Sequence, residues 1–394
     1  MAHHPLDARE AVRGLRASKI REVANAGMGR EDVLAFWFGE PDEVTPAFIR
    51  QAGIDALNAG ETFYTHNLGI PELREAIASY VTRLHRPTGV DSIAVTNSGM
   101  SALMLATQAL IGAGDRVVAV TPLWPNLVEI PKILGAVVEC VELRFGSEGW
   151  TLDLDRLLAA LTPATRAVYL NSPNNPTGWT IDADAQQAIL AHCRRHGTWI
   201  IADDAYERLY FDEGRAGSAP SFLDLAQPDD RLISTNTFSK SWLMTGWRLG
   251  WIVAPPTLIP DIAKLLEYNT SCAPPFVQRA GVVAVKEGEP VVAHTVRRLR
   301  GARDFLHAHL GRTPGIEAIA PPGAMYAFFR IANVTDSLEF CKRLVADAGV
   351  GLAPGIAFGP EGEGFVRWCF ASSESRLADG VSRLQRFLAD YCAT

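Results

Sequence analysis

The chain has 394 residues, 48% hydrophobic and 21% charged, with a formal net charge of −7. That composition excludes a disordered polymer and provides for two or three domains with a sizeable core. The negative balance, with no long run of Lys or Arg, points away from nucleic acid or an anionic membrane and toward a small-molecule partner.

Near the start, Asp7, Arg9, Glu10 and Arg13 interrupt what would have to be the apolar core of a signal segment. No uncharged apolar run of about eighteen residues occurs, so neither secretion nor membrane spanning is expected. His3 and His4 are given no role. Thr45-Pro46 opens an apolar-periodic run that stops at Gly60, and Pro71 opens another that ends near His85. Both read as helices, because proline suits a first turn and glycine a stop. From residue 92 short apolar strands alternate with helices: strands at 92–96, 116–121, 136–143, 166–171, 198–203, 232–235 and 249–254, with helices from about Gly99, from about Pro125 and across 182–196. That alternation predicts a mainly parallel sheet covered on both faces, with ligands at the strand C-terminal ends. Beyond about residue 280 a long helical pattern leads to strands at 325–331 and 365–370 and a final helix to about Tyr391, a smaller α+β unit. Cys140, Cys193, Cys272, Cys341, Cys369 and Cys392 are scattered without Cys-x-x-Cys pairs or zinc-type His spacing. They read as reduced thiols in a cytoplasmic protein without a metal site.

Chemistry-bearing motifs fall at those strand ends. In Thr96-Asn97-Ser98-Gly99-Met100-Ser101, between strand and helix, free N–H groups and the positive helix end suit a phosphate, although Ser and Gly are common in any such turn. Gly112-Ala113-Gly114 follows a helix and precedes a strand, the wrong order for a dinucleotide fingerprint. Asn171-Ser172-Pro173-Asn174-Asn175-Pro176-Thr177-Gly178 is a proline-stiffened loop able to hold an asparagine amide in one orientation. Asp203-Asp204-Ala205-Tyr206 ends an isoleucine-rich strand, so Asp203 would be partly buried and need a cation, while Asp204 reads as solvent-facing or capping. In Thr237-Phe238-Ser239-Lys240, Lys240 stands eight positions before Arg248. Such a lysine is either an ordinary surface residue or a nucleophilic amine forming a Schiff base with an aldehyde, with Arg248 holding a phosphate on the same molecule. Pyridoxal phosphate carries both groups.

Gly39-Glu40-Pro41, Tyr64 with Gly69-Ile70-Pro71-Glu72-Leu73-Arg74, Asn175-Pro176-Thr177-Gly178, Asp203-x-x-Tyr206, Ser239-Lys240 and Arg248 occur together in one order. In this the chain resembles the class I/II aminotransferases, fold-type I pyridoxal phosphate enzymes, from about Leu34 onward. The resemblance implies an α/β fold with a large domain, its mainly parallel sheet sandwiched by helices, and a smaller α+β domain. The expected division is 1–45 associated with the small domain, 46–285 as the cofactor-binding domain and 286–394 as the small domain. It also implies transfer of an amino group between an L-amino acid and a 2-oxo acid in a ping-pong cycle. Lys240 would hold the cofactor and shuttle the proton. Asp203 would pair with the ring nitrogen, Asn175 and Tyr206 would bind the phenolic oxygen, and Trp124 would stack on the ring. Ser98, Gly99, Ser239 and Arg248 would hold the phosphate, joined by the Met100 N–H and Thr237. Arg367, in an apolar strand, would grip the substrate carboxylate with help from Gly39 and Asn175, unless it forms an internal salt bridge. Tyr64 would reach the phosphate of a neighbouring subunit, implying a homodimer.

Met100 stands where some aspartate-active relatives carry a lysine, and Phe36, Trp37 and Phe38 stand where smaller residues are common, forming either an aromatic pocket wall or packing at the domain junction. A β-lyase would share Lys240, Asp203 and Arg367. A non-catalytic regulatory domain is a further alternative, although the N-terminal region shows no basic helix-turn-helix pattern.

Overall fold

The computed structural model describes residues 7–391 apart from 213 and 216, so His3, His4 and Cys392 lie outside the described residues. The central sheet has seven strands: β1 (Ile93–Thr96), β2 (Arg116–Thr121), β3 (Val137–Glu142), β4 (Thr165–Asn171), β5 (Trp199–Asp203), β6 (Leu232–Thr237) and β7 (Gly250–Val253). Their order across the sheet is β1-β7-β6-β5-β4-β2-β3. Only β7 runs antiparallel to its neighbours, while the pairs from β6 to β3 are parallel. Parallel strands joined by crossovers bury both faces. Val117 and Ala119 of β2 accordingly pack on one side with α4 (Gly99–Leu110) and α7 (Ile259–Glu267). Val118 and Val120 pack on the other with α3 (Pro71–Leu84), α6 (Ala183–His196) and α8 (Pro275–Glu287). Edge strand β3 is the exception, with Val137 60% exposed.

A second, antiparallel sheet joins β8 (Ile316–Glu317), β9 (Tyr326–Ile331), β11 (Phe365–Cys369) and β10 (Ala353–Pro354), in that order. Its core includes Phe329, Phe340, Trp368 and Leu384, and it also takes in Ile20, Val23, Phe36 and Trp37 from near the N-terminus. Ile20 and Val23 belong to α1 (Lys19–Gly27), capped by the Ser18 side chain, and Phe36 and Trp37 directly follow Leu34–Ala35, which pairs in parallel with Val350–Gly351.

Most expected elements appear within a residue or two. The long helical pattern beyond residue 280 resolves into α8 and α9 (Glu289–Leu310), parted at Gly288. Pro290, in the first turn of α9, has no N–H for a continuous helix and its ring would clash with the preceding turn. The hairpin Arg144–Gly146/Gly149–Thr151 and helices α1, α7, Leu154–Ala160 and α10 (Ser337–Ala348) were not anticipated.

Register brings five chain segments to one edge of the central sheet. Gly250 pairs with both Thr96 and Thr237, and Asp203 pairs with Asn171 and Thr235. The ends of β1, β4, β5 and β6 and the start of β7 therefore meet around one cleft.

Candidate active site

That cleft, of about 470 Å³, brings together all the sequence-predicted site residues except Ser98 and Tyr64. Ser98 lies at its margin as the N-cap of α4, with φ of 112° and its hydroxyl accepting from the Ser101 N–H at 3.2 Å. Gly99 is packed against β6: a side chain there would begin 3.1 Å from the Thr237 Cβ. Thr237 Oγ1 donates to Ser239 Oγ at 2.9 Å and accepts from the Ser239 N–H at 3.1 Å, tying the loop before Lys240 to the strand end. Arg248 holds a left-handed backbone, φ 52°, and donates to the Thr245 carbonyl at 2.8 Å. Arg248 has no carboxylate partner among the described residues. The helix start, the hydroxyls and this guanidinium form an anion cradle.

Lys240 donates to the Gly39 carbonyl at 2.6 Å, and its Nζ lies 5.8 Å from the centre of the Tyr206 ring. Burial pulls its pKa from 10.5 down to about 8; Arg367 and Arg248 push the same way, against Cys369 and Glu40. The amine is thereby brought toward the neutral, nucleophilic form. Asp203 is buried, and burial raises its carboxyl to about 6, opposed by the Ala205 N–H at 3.2 Å and by Lys240. Asn171 steadies this corner, donating to the Asp203 carbonyl at 2.9 Å and accepting from the Asn175 N–H at 2.7 Å. Trp124 is fixed through its N–H to the Asn175 carbonyl at 2.8 Å.

Arg367 is 2% exposed in β11. Its Nη1 donates to Asn175 Oδ1 at 2.9 Å, Nη2 donates to the Trp37 carbonyl, and Nε has no partner. Its guanidinium carbon lies 4.4 Å from the centre of the Tyr326 ring and 4.9 Å from that of Phe358. No carboxylate among the described residues pairs with it, so the internal salt bridge considered from sequence is absent. A buried guanidinium without a counter-ion is costly, and an incoming carboxylate would satisfy it. An anion cradle, a lysine of lowered pKa and a buried carboxylate around an aromatic-walled cleft also fit pyridoxal phosphate, whose phosphate, aldehyde and ring nitrogen need those three partners.

Two sequence expectations change. Asp204 is neither solvent-facing nor a cap: it is 4% exposed and accepts from Ser234 Oγ at 2.5 Å. Burial, then Glu207, raises its carboxyl to about 8. Of the three aromatics before Gly39, Phe36 and Trp37 are core residues, Phe36 packing 4.7 Å from Trp368, and only Phe38 lines the cleft. Met100 lies in the first turn of α4, where its sulfur accepts from Asn126 Nδ2 at 3.2 Å. Tyr64 stands outside the cleft, 90% exposed. Sequence reasoning missed Tyr326, whose hydroxyl lies 2.7 Å from that of Tyr206, and Arg21 and Asn126 on the cleft wall. None of the three carries a local motif.

Fold and cleft together define an α/β protein with one buried lysine of lowered pKa in a cleft at the strand ends. The class I and II aminotransferase signature matches residues 31–384. An aspartate aminotransferase of Pyrococcus horikoshii is 33% identical over 383 residues, 96% of each chain. A probable N-acetyl-LL-diaminopimelate aminotransferase of Bacillus subtilis is 32% identical, covering 96% of this chain and 94% of that protein. The crystal structure of aspartate aminotransferase from Thermotoga maritima superposes with a TM-score of 0.90 at 31% identity, covering 97% of this chain and 100% of that one. The chain belongs to the class I and II aminotransferase family and is an aminotransferase.

Proposed function

We propose that the chain uses pyridoxal phosphate to move an amino group between an L-amino acid and a 2-oxo acid in a ping-pong cycle, with Lys240 as covalent anchor and proton carrier. The observation that carries this reading is the pairing of a lowered-pKa lysine with a buried arginine that lacks a counter-ion in one cleft. When bound, the cofactor supplies an aldehyde to take the amino group and a ring to accept electrons from the substrate α-carbon. Asp203 keeps the ring nitrogen protonated, which suits a carboxylate that is costly to bury uncompensated. Asn175, its Oδ1 occupied by Arg367, is left with Nδ2 to donate to the phenolic oxygen, beside the Tyr206 hydroxyl. Trp124 covers the ring face. The Gly99 and Met100 N–H groups, Ser98, Thr237, Ser239 and Arg248 hold the phosphate. Arg367 and the Gly39 backbone would fix the substrate carboxylate, and Lys240 Nζ would take and return the α-proton.

The same reading includes a homodimer in which Tyr64 of each subunit reaches the other's phosphate site. Exposure of Phe63 (81%), Tyr64 (90%) and Tyr268 (90%) supports it, as large apolar side chains so open are unusual on a monomer. It also includes the division 1–45, 46–285 and 286–394, supported by the shared core of Ile20, Phe36 and Trp37 with the C-terminal sheet. A cytoplasmic setting is supported by Cys140, Cys193, Cys272, Cys341 and Cys369 being unpaired. No helix among the described residues is long and apolar enough to cross a membrane. Borohydride reduction of the cofactor-loaded protein followed by peptide mass mapping tests the reading. A pyridoxyl-phosphate adduct on the peptide containing Lys240 is expected, and its absence would overturn the assignment.

A further inference from the structure

Away from the cleft the molecule has a second concavity, of about 600 Å³. Three segments wall it: the hairpin strand at 148–152, the loop at 177–182 that leads into α6, and the stretch at 319–322 ahead of β9. These walls are fixed against one another. A side chain at Gly178 would begin 2.3 Å from the Pro321 Cβ, and one at Gly149 would begin 3.4 Å from the Ile319 Cγ2, so the segments touch closely at both glycines. Trp179 is pinned through its own backbone, its N–H donating to Thr177 Oγ1 at 3.1 Å and its carbonyl accepting from the Asn174 N–H at 2.8 Å. Trp150 is held by Phe328 at 5.6 Å and Phe365 at 5.1 Å between ring centres. A concavity of this size with ordered walls suits a small ligand, because little has to be immobilised on binding.

Its lining has two chemical characters. Trp150, Trp179, Ile181, Ile319 and Pro321 make it apolar and aromatic. Glu148, Asp182 and Asp184 make it acidic, and no Lys, Arg or His among the described residues lines it. Asp182 spends one oxygen as the N-cap of α6, accepting from the Ala185 N–H at 2.8 Å. None of the three carboxylates has an ion-pair partner among the described residues. The cleft has the opposite character, with Arg21, Lys240, Arg248 and Arg367 against Asp203. Anions are therefore drawn to the cleft and cations to the second concavity. The geometry points to a second ligand site there, for an organic ammonium ion carrying an aromatic ring. The ring packs against the indoles, which also attract the cation, and the charge faces the carboxylates. The site stands whether or not the cleft transfers amino groups.

The test is calorimetric binding of phenethyltrimethylammonium to the protein with and without pyridoxal phosphate, beside the uncharged 3-phenylpropan-1-ol. A quaternary nitrogen cannot condense with an aldehyde, so no reaction in the cleft enters the signal. The cation should bind more tightly than the alcohol, and equally well with and without the cofactor. Combining Glu148→Gln, Asp182→Asn and Asp184→Asn removes the charges, while Asn at 182 keeps the helix cap. Exposed ion pairs are each worth up to about fivefold, so cation binding should weaken about five- to fiftyfold, with the alcohol unchanged. Added salt should weaken cation binding to the parent in the same selective way. Trp179→Leu should weaken both probes. Equal affinity for the two probes, no cation binding at millimolar concentration, a cation affinity unmoved by salt or by the three substitutions, or binding lost on cofactor loading would each overturn the site.

Discussion

Tyr206 and Tyr326 meet hydroxyl to hydroxyl at 2.7 Å, their rings close to perpendicular at 76°. The Tyr326 ring lies under the Arg367 guanidinium, and its hydroxyl abuts Gly39 so closely that a Cβ there would overlap it. One buried side chain thus touches Tyr206, Arg367 and the bend at Gly39 whose carbonyl accepts from Lys240. Burial pushes both phenols above their ordinary pKa, so each stays neutral and able to donate.

Tyr326→Phe keeps the ring under Arg367 and strands the Tyr206 hydroxyl. Leaving a buried polar group unpaired costs about 1–3 kcal/mol, whereas removing both partners can be nearly neutral. Urea unfolding of the single and double phenylalanine variants should therefore be clearly non-additive, the double losing less than the sum. Strict additivity would show that the two hydroxyls do not depend on each other.

On the proposed reading, Lys240→Ala removes anchor and proton carrier together. Positioned proton transfer is worth roughly 100- to 10,000-fold, so kcat/KM should fall by at least that much while the circular dichroism of the fold persists. In the parent, cofactor uptake by the apo protein should accelerate as pH rises, with a midpoint near the lysine's depressed value of about 8. Stopped-flow absorbance measures it, and a midpoint at the ordinary 10.5 would mean that burial does not act on this amine.

Arg367→Leu leaves a substrate carboxylate without its partner. Stripping one side of a buried hydrogen-bonded charge pair costs about 2–5 kcal/mol, or roughly thirty- to a few thousandfold in kcat/KM. The loss should apply to every amino acid accepted, because the α-carboxylate is common to all. An unchanged value for any good substrate would place the grip elsewhere.

Behind the sheet, His85 lies between Glu207 Oε2 at 3.1 Å and Asp224 Oδ1 at 2.7 Å, with Tyr80 bonding Glu207 Oε1 at 3.1 Å and Arg215 bonding Asp224 Oδ2 at 2.9 Å. Burial alone would lower its pKa, but hydrogen bonds to Asp224 and Glu207 win and raise it from 6.5 to about 10. A raised histidine contributes stability that is complete below the unfolded value of 6.5 and lost as pH climbs through about 10. Asp224, lowered overall by His85 despite its own burial, contributes stability present above 3.8 and lost as acid protonates it. His85→Leu leaves two carboxylates facing each other and should cost about 3–5 kcal/mol near neutral pH, the scale for breaking a buried pair. The deficit should shrink toward pH 10 in unfolding measurements, and a deficit independent of pH would show that the imidazole is uncharged.

The sheet strands were readable because each is a short apolar run ending in a polar motif. Lys240, Asp203, Asn175 and Arg248 stand out because they break those runs at the strand ends. Arg21, Asn126 and Tyr326 gave no such mark. A tyrosine in an apolar strand and an arginine in the first turn of an exposed helix are ordinary in their own neighbourhoods, and only the packing of distant segments brings them to the cleft. Asp204 illustrates the converse. Beside another aspartate at a strand end it looks solvated, but Ser234 on the next strand draws it inward.

Gly250 pairs with Thr96 on one side and Thr237 on the other, and a Cβ there would fall 2.5 Å from the Gly99 nitrogen. The anion cradle is therefore closed by the last strand of the central sheet, more than a hundred residues before Arg367 in the chain. During synthesis, the elements that would retain the vitamin-derived group all leave the ribosome before the arginine that reads the substrate. Affinity for the coenzyme can thus be established early in biogenesis, and the proposed grip on the substrate carboxylate would arrive with the final quarter of the polypeptide.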